Sequence, residues 1–191
     1  ASARDTGGVS KNKFKWNNQS ITNLYASKIG LDNNLEAPKR FDNKINSKFH
    51  ESTPVFTKDG KTMYFTRNNF LDGKRGKDSK SVTLLKMYKS TLVDGQWANI
   101  AELPFNSDNY SVAHPALSLD EKTLYFASDM PGTLGQSDLF KVTINENGTY
   151  SSPENLGAKI NTEGRETFPT ISAENELYFA SDGRPGLGGL D

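Results

Sequence analysis

Short apolar stretches alternate with polar turns along this chain, and one such pattern occurs three times. The copies are Pro54-Val-Phe-Thr-Lys-Asp-Gly-Lys-Thr-Met-Tyr-Phe-Thr66, Pro115-Ala-Leu-Ser-Leu-Asp-Glu-Lys-Thr-Leu-Tyr-Phe-Ala127 and Pro169-Thr-Ile-Ser-Ala-Glu-Asn-Glu-Leu-Tyr-Phe-Ala180. In each copy, a Pro-led apolar stretch, a polar turn and a stretch rich in β-branched and aromatic residues predict a β-hairpin. A repeated unit this small buries its apolar faces by stacking on other copies of itself.

The second copy shows how the hairpin continues into a sheet. We predict strands at 114–118, 123–127 and 137–144, and a fourth, outer strand within 149–156. In the first turn, the Asp120 carboxylate is expected to accept the backbone amides two and three residues on. A loop with Pro and Gly, residues 129–136, joins the second strand to the third.

The other units fit the same template of four strands. Third strands are predicted at 85–90 and 23–28, followed by turns at Asp94-Gly95 and Asp32–Asn34, and Gln96-Trp97 opens an outer strand. Ala1-Ser2 aligns with Ala127-Ser128 and Ala180-Ser181. Four short strands per unit are typical of β-propeller blades. The chain is therefore predicted to be all-β, a partial β-propeller with units at about 1–48, 49–110, 111–163 and 164–191, the first and last incomplete.

The repeat also predicts where the strands lie in a propeller. The Tyr-Phe pairs at 64–65, 125–126 and 178–179 are expected to divide between the two faces of their blades, and the Pro-led strands 54–57, 115–118 and 169–172 to lie near the centre. A propeller has four to eight blades, so about three units do not close a ring. We expect the chain to be a piece of a longer multidomain protein; closure by a second chain is the alternative.

Composition excludes several classes of function. Lys+Arg and Asp+Glu are both 23, so the formal net charge is zero, and the chain lacks the basic field typical of nucleic-acid binding. There is no cysteine, hence no disulfide or thiolate chemistry. No apolar run approaches the roughly 20 residues of a membrane-spanning helix. The locally basic segment 72–80 is interpreted as a solvated loop, with a phosphate- or partner-binding loop as the alternative.

The residues that most often carry chemistry have structural explanations here. His50 and His114 precede Pro-led strands at different offsets, and we interpret them as hydrogen-bonding histidines, since no Gly-x-Ser-x-Gly elbow or zinc motif accompanies them. Two Asp pairs bracket Gly-containing loops: Asp129 with Asp138, and Asp182 with Asp191. Capping of backbone amides explains why these pairs recur, whereas calcium coordination is the alternative.

Sugar chemistry is a further alternative, because paired carboxylates cleave glycosides and aromatic rings stack on sugars. No carboxylate pair stands out from the repeat. Trp16 and Trp97 are interpreted as outer-strand residues that cover a blade edge rather than as sugar platforms. We therefore predict no catalytic residue, no metal site and no cofactor, and the sequence does not identify the binding residues.

A family resemblance supports this picture. The unit Pro-x-apolar-Ser-x-Asp-x-Lys-Thr-Leu-Tyr-Phe-Ala-Ser-Asp resembles the WD-repeat-like propeller units also found in TolB. The loop Ser128-Asp-Met-Pro-Gly-Thr-Leu-Gly-Gln-Ser-Asp138 returns as Ser181-Asp-Gly-Arg-Pro-Gly-Leu-Gly-Gly-Leu-Asp191, and it resembles propellers of OmpA-family lipoproteins in Bacteroidetes envelopes. The first repeat departs from that pattern, with Arg67-Asn-Asn-Phe-Leu-Asp-Gly-Lys-Arg-Gly76 in the place of the loop.

The resemblance implies a non-enzymatic protein-interaction or scaffold module of the bacterial cell envelope, in the periplasm or at the outer membrane. Its expected partners are envelope proteins or a cell-wall component, not nucleic acid. The family's peptidoglycan-binding domain has no counterpart among these residues. Loops on a rigid scaffold usually carry binding, so loops 67–82, 105–112 and 129–137 are the expected contributors. The alternatives are the propeller of a hydrolase whose catalytic part is absent, and a calcium-stabilised propeller.

Overall fold

The protein consists of β-strands and their connections in the computed structural model, which describes residues 1–2 and 20–191. The strands are β1 (Tyr25–Ala26), β2 (Lys39–Arg40), β3 (Glu51–Phe56), β4 (Thr62–Asn68), β5 (Phe70–Leu71), β6 (Lys74–Arg75), β7 (Leu85–Val93), β8 (Gln96–Glu102), β9 (Val112–Leu117), β10 (Thr123–Ser128), β11 (Asp138–Thr143), β12 (Glu154–Asn155), β13 (Glu166–Ile171) and β14 (Leu177–Ser181). Among the described residues no helix has the length and apolar character needed to cross a membrane.

Within the part of the chain that the structure describes, two four-stranded antiparallel sheets form complete blades. The first blade has the order β3-β4-β7-β8 and the second β9-β10-β11-β12. The pairs β1-β2 and β13-β14 represent parts of the blades before and after them, and β5-β6 is a small hairpin between β4 and β7. The fold is the predicted all-β partial propeller.

The Pro-led strands lie at the centre, as predicted. β3, β9 and β13 are the edge strands of their sheets, and β9 packs against both β3 and β13. Each is bulged immediately before its proline, where Thr53, His114 and Phe168 have φ values of 44°, 58° and 50°. A residue before proline normally prefers an extended backbone. A bulge and a proline together keep an edge strand from pairing with another chain. This protection is a reason for the bulged residue and its proline to recur in all three inner strands.

The core lies between blades, and its two clusters cover both faces of the first blade. Tyr64 packs with Phe126 and Phe140 in the cluster between the first and second blades. Its neighbour Phe65 packs with Ile45 in the cluster on the opposite face. The predicted division of the Tyr-Phe pair is thus confirmed in the first blade, where the period-2 alternation of a strand produces it.

The repeat alignment at the blade ends is also confirmed. Ser128 pairs with Asp138, where the third strand begins, and Ser181 exchanges both backbone hydrogen bonds with Asp191. Ser2 forms the corresponding bridge to Asn23.

Some predicted strands are shorter than expected. The earlier third strand comprises only Tyr25–Ala26, and the outer strand of the second blade is Glu154–Asn155 with a separate bridge at Tyr150. In the latter, Pro153 has no N–H to donate to the ladder.

Candidate functional site

Antiparallel order places the connections of every blade at two opposite ends. Turns between first and second strands and between third and fourth strands share one end, where they are short. The loops between second and third strands and the blade-to-blade connections share the other, which we call the long-loop end. It comprises loops 69–84, 129–137 and 182–190 and connections 41–50, 103–111 and 156–165. Loops 67–82, 105–112 and 129–137, predicted to carry binding, all contribute to this end.

Three asparagines fix the blade-to-blade connections. Each side chain accepts the backbone N–H of one residue and donates to the C=O of the same residue, at 2.7–3.0 Å, and that residue lies in the third strand of the preceding blade or directly before it. The pairs are Asn46 with Leu24, Asn106 with Met87, and Asn161 with Leu139. Since the side-chain amide satisfies both main-chain groups at once, each connection is bound to its blade. We call this arrangement the asparagine clamp.

The recurring Asp residues cap loops, as the capping interpretation predicts. Asp138 is fully buried and accepts the Leu134 and Gly135 amides and the Asn155 side chain. Asp129 and Asp182 each accept a backbone amide from the preceding connection, and Asp191 accepts that of Gly188. Among the described residues, no three His, Asp or Glu side chains cluster in a way that could hold a metal ion.

The turn of the second hairpin differs slightly from its prediction. Asp120 accepts the amide of Lys122, two residues on. The amide three residues on, that of Thr123, is bound by the Ser118 hydroxyl instead.

A buried ion pair lies at the long-loop end of the first blade. Glu51 is fully buried, and its Oε1 accepts the Ser47 N–H at 3.0 Å, the Ser47 hydroxyl at 2.5 Å and Arg67 Nε at 3.1 Å. Oε2 has no hydrogen-bond partner among the described residues. Burial raises the pKa of Glu51 to about 7, although Ser47 and Arg67 oppose the shift. The guanidinium of Arg67 also donates to the Lys44 and Ile45 carbonyls.

Two repeat-equivalent clefts open beside this end, each formed by a connection, a loop and an outer strand. The first-blade cleft, of about 450 Å³, is lined mainly by polar side chains: Asn43, Lys44, Ser47, Arg67, Asp72 and Asn99, with Phe70 and Ile100 among the apolar residues. The second-blade cleft, of about 500 Å³, is lined by Pro104, Phe105, Tyr110, Met130, Pro131, Phe140, Tyr150 and Pro153, and by two serines. The fold thus makes the cleft, and the sequence of each unit sets its chemistry.

Exposed leucines recur at the tips of two loops. Leu134 and Leu187 are both six residues beyond the serine that ends the second strand, and they are 52% and 104% exposed. Their loops are held together through Gly135, Gly164 and Gly183, where a Cβ would collide with neighbouring backbone or with the Thr162 side chain. The loops that carry the leucines are therefore packed against one another as a continuous rim.

The two histidines form hydrogen bonds, as predicted. His50 Nδ1 contacts the N–H and hydroxyl of Thr22, and His114 Nδ1 contacts the Thr167 hydroxyl at 2.5 Å. The His114 ring also stacks on Phe168, with centroids 3.9 Å apart. Burial lowers the pKa of His114 to about 4, so it is neutral at physiological pH.

Trp97 lies on outer strand β8 and is only 8% exposed, packed against Phe41 and Phe56. It covers the blade edge, as interpreted from the sequence, and is not free to stack on a sugar. Trp16 lies outside the described residues. The basic segment 72–80 is an exposed loop that contains part of the β5-β6 hairpin, and Asp78 caps its final turn.

The asparagine clamp and the buried Glu51 were not identified from the sequence. A signal for the clamp is present: Ile45-Asn-Ser47, Phe105-Asn-Ser107 and Ile160-Asn-Thr162 stand eight or nine residues before the repeated prolines. Glu51 also has a signal in the sequence: Glu51 and Glu166 each stand three residues before a repeated proline, Pro54 and Pro169.

Comparison with known proteins supports the fold only. A puromycin-hydrolyzing peptidase of Mycobacterium tuberculosis is similar over 80% of this chain, with 16% identity and a TM-score of 0.50, and a puromycin hydrolase S511A mutant complexed with PGG is similar over 84%, with 17% identity and a TM-score of 0.51. TolB from Acinetobacter baumannii matches 88% of the chain with 19% identity and a TM-score of 0.48. The chain spans 21%, 24% and 33% of these proteins. No family model matches the chain, and no curated protein matches it.

Proposed function

We propose that this chain is a non-enzymatic protein-interaction module of the bacterial cell envelope. Its long-loop end binds a partner protein through the rim that carries Leu134 and Leu187. The resemblance of its loops to OmpA-family envelope lipoproteins supports the compartment, in the periplasm or at the outer membrane.

The recurrence of an exposed leucine is the observation that carries this proposal. A buried leucine that recurs is explained by the core, but Leu187 is fully exposed and Leu134 is half-exposed. Single exposed apolar residues are ordinary on protein surfaces. Their recurrence on neighbouring, closely packed loops favours a contact surface, because packing reduces the conformational entropy that loops lose on binding.

The second candidate is the propeller domain of a hydrolase. The similarity of the fold to peptidase chains favours it, although at 16–17% identity that similarity supports the architecture alone. A Gly-x-Ser-x-Gly motif in sequence flanking this chain in the natural protein would favour the hydrolase. A flanking peptidoglycan-binding domain would favour the interaction module.

Site-specific photo-crosslinking tests the proposed surface. A benzophenone side chain replaces Leu134 in one variant and Leu119 in the other. Leu119 is the matched control, since it is a 37% exposed leucine in a short turn at the opposite end. In cells that make the natural protein, we expect discrete protein adducts from position 134 that excess unlabelled chain abolishes.

Equal adducts from both positions, or none from position 134, would contradict the proposal. Mass spectrometry of a specific adduct then separates the two candidates. An adduct with a separate envelope protein agrees with the interaction module, whereas an adduct with a hydrolase domain of the same natural protein agrees with the alternative.

A further inference from the structure

The polar first-blade cleft contains side chains that the fold does not use. The side chain of Asn43, the ammonium of Lys44 and the carboxylate of Asp72 form no hydrogen bond or ion pair within residues 1–2 and 20–191. Asn99 donates from Nδ2 to Thr91, and its Oδ1 has no hydrogen-bond partner among residues 1–2 and 20–191. Separate elements therefore contribute solvent-exposed donors and acceptors to the lining of one cavity.

These groups surround an apolar surface formed by Phe70 and Ile100, both half-buried. Phe70 is held in place by Phe49, with ring centroids 4.9 Å apart, and by the hydrogen bond from its N–H to the Tyr88 hydroxyl. The wall behind it is formed by Arg67, whose side chain is 3% exposed and fixed by Glu51 and the Ile45 carbonyl. A fixed apolar floor with a few convergent polar groups is the usual character of a small-ligand site.

Backbone geometry at two cleft residues agrees with such a role. Asn99 has φ 52° at an irregularity in the pairing of β8 with β7. A bulge of this kind re-aims a side chain within a strand. Asp72 has φ 49° in the turn of the β5-β6 hairpin, an insertion between β4 and β7 that the second blade lacks.

The second-blade cleft provides an internal comparison. At its equivalent positions, Pro104 stands in the place of Lys44, and Pro153 in the place of Ile100. Both clefts have nearly the same volume, so the architecture does not require the polar groups of the first. The polar groups of the first cleft are therefore a property of this unit's sequence, and because they are exposed they are open to a ligand.

We propose that the first-blade cleft binds a sugar unit that carries a carboxylate, such as a hexuronic acid. Lys44 pairs with the carboxylate, and the oxygens of Asp72 and Asn99 accept hydrogen bonds from ring hydroxyls. The Asn43 amide both donates and accepts, as neighbouring hydroxyls require. Phe70 and Ile100 contact the apolar face of the ring. This ligand is distinct from the protein partner proposed for the leucine loops, and neither proposal depends on the other.

Titration by ¹H–¹⁵N NMR with two matched sugars tests the proposal. The probes are methyl β-D-glucuronide and methyl β-D-glucoside, which differ only at C6, where the first has a carboxylate and the second a hydroxymethyl group. We expect the glucuronide to bind with a dissociation constant on the order of 1 mM, and to shift amides in 43–47, 70–74 and 98–100. The glucoside is expected to bind about tenfold more weakly, because it offers Lys44 no charge.

Variants identify the groups responsible. Lys44→Gln is expected to reduce glucuronide affinity to the level of the glucoside. Asp72→Asn is expected to weaken both sugars. The matched control is Lys159→Gln, because Lys159-Ile160-Asn161 repeats Lys44-Ile45-Asn46 in a unit where the outer strand of the cleft is not among the described elements.

Three outcomes would overturn the proposal. The first is equal affinity for the two sugars, the second is an equal loss in Lys44→Gln and Lys159→Gln, and the third is no shift with either sugar at about 50 mM. All three variants alter exposed side chains, so an unchanged spectrum without ligand verifies the fold.

Discussion

The first blade and the last unit each bind a blade-to-blade connection with a buried glutamate, but different residues surround it. Glu51 and Glu166 occupy repeat-equivalent positions, both fully buried, and each caps the connection before it through Ser47 or Thr162. In the last unit, the Ser181 hydroxyl completes the set at 2.6 Å, and both oxygens of Glu166 are bound. In the first blade, Arg67 stands where the serine would be, and one oxygen of Glu51 has no partner among the described residues.

The two units also place an arginine differently at the connection before the blade. Arg67 reaches from strand β4 to the carbonyls of Lys44 and Ile45. The equivalent carbonyls, of Lys159 and Ile160, are bound by Arg184, which comes from the loop after β14. A guanidinium thus caps this turn in both units, but only in the first blade is it buried and paired with the glutamate. Both units thus have a donor for the carbonyls of this turn. The buried charge pair is present in the first blade and not among the described residues of the last unit.

The largest expected difference between the two units concerns their arginines. Arg67→Met breaks the buried ion pair and leaves the Ile45 carbonyl without its donor, and it is expected to lower the free energy of unfolding by about 3–5 kcal/mol even though Glu51 can then take up a proton. Arg184→Met removes hydrogen bonds at an exposed site and should cost about 1 kcal/mol or less. Urea unfolding at neutral pH measures both.

Equal losses in the two arginine variants would refute the comparison. If Arg67→Met does not fold, the double variant Glu51→Gln/Arg67→Met provides the test, because it removes the unpaired charge. It should be more stable than Arg67→Met alone.

A smaller expected difference concerns pH. The pKa of Glu51 is raised from 4.5 to about 7, mainly by burial, so between these values the folded protein holds a proton that the unfolded chain releases. Stability from this group is therefore present at low pH and lost as pH rises from about 4.5 to 7. Glu51→Gln keeps an acceptor for Ser47 and Arg67 but removes this loss, by about 1–3 kcal/mol across the window.

His114 acts in the opposite direction. Burial lowers its pKa from 6.5 to about 4, so its contribution is present above pH 6.5 and is lost as pH falls toward 4. Unfolding curves from pH 4 to 8 should show a steeper rise of stability with pH in Glu51→Gln than in the parent chain. An unchanged pH profile would contradict the raised pKa of Glu51.

The smallest expected difference concerns the faces of the two units. Tyr64 is 2% exposed and shares a hydrogen bond with the Tyr150 hydroxyl of the next blade, whereas its counterpart Tyr178 is 55% exposed. Tyr64→Phe should cost about 1 kcal/mol because the Tyr150 hydroxyl loses its buried partner. Tyr178→Phe should leave the unfolding midpoint unchanged, and an equal effect of both would show that the buried contact contributes nothing.

Local signals made most of the fold predictable. The Tyr-Phe alternation determines the two faces of a strand, and Asp94-Gly95 adopts the paired left-handed conformation, with φ 49° and 76°, that a two-residue hairpin needs. Strand lengths at the outer edge were less predictable. There, pairing depends on one neighbour only, and Ser151-Ser152-Pro153 interrupts it.

The candidate site was predictable only as a set of loops. Antiparallel connectivity places loops 67–82, 105–112 and 129–137 at one end, and this follows from the strand order. The first-blade cleft does not, because Asn43, Asp72 and Asn99 are far apart in sequence and none belongs to the repeat. The bulges at Thr53, His114 and Phe168 also run against the local preference of a residue before proline, since the tertiary environment of the inner strands outweighs it.

The asparagine clamp has a consequence for how such a chain can change over time. It binds only main-chain N–H and C=O groups, so the same hydrogen bonds form whether the residue is Leu24, Met87 or Leu139. Each unit can therefore replace its core and cleft residues independently while the joint between units stays the same. The divergence between a polar cleft and a proline-lined cleft in adjacent blades is the kind of change that such a joint allows.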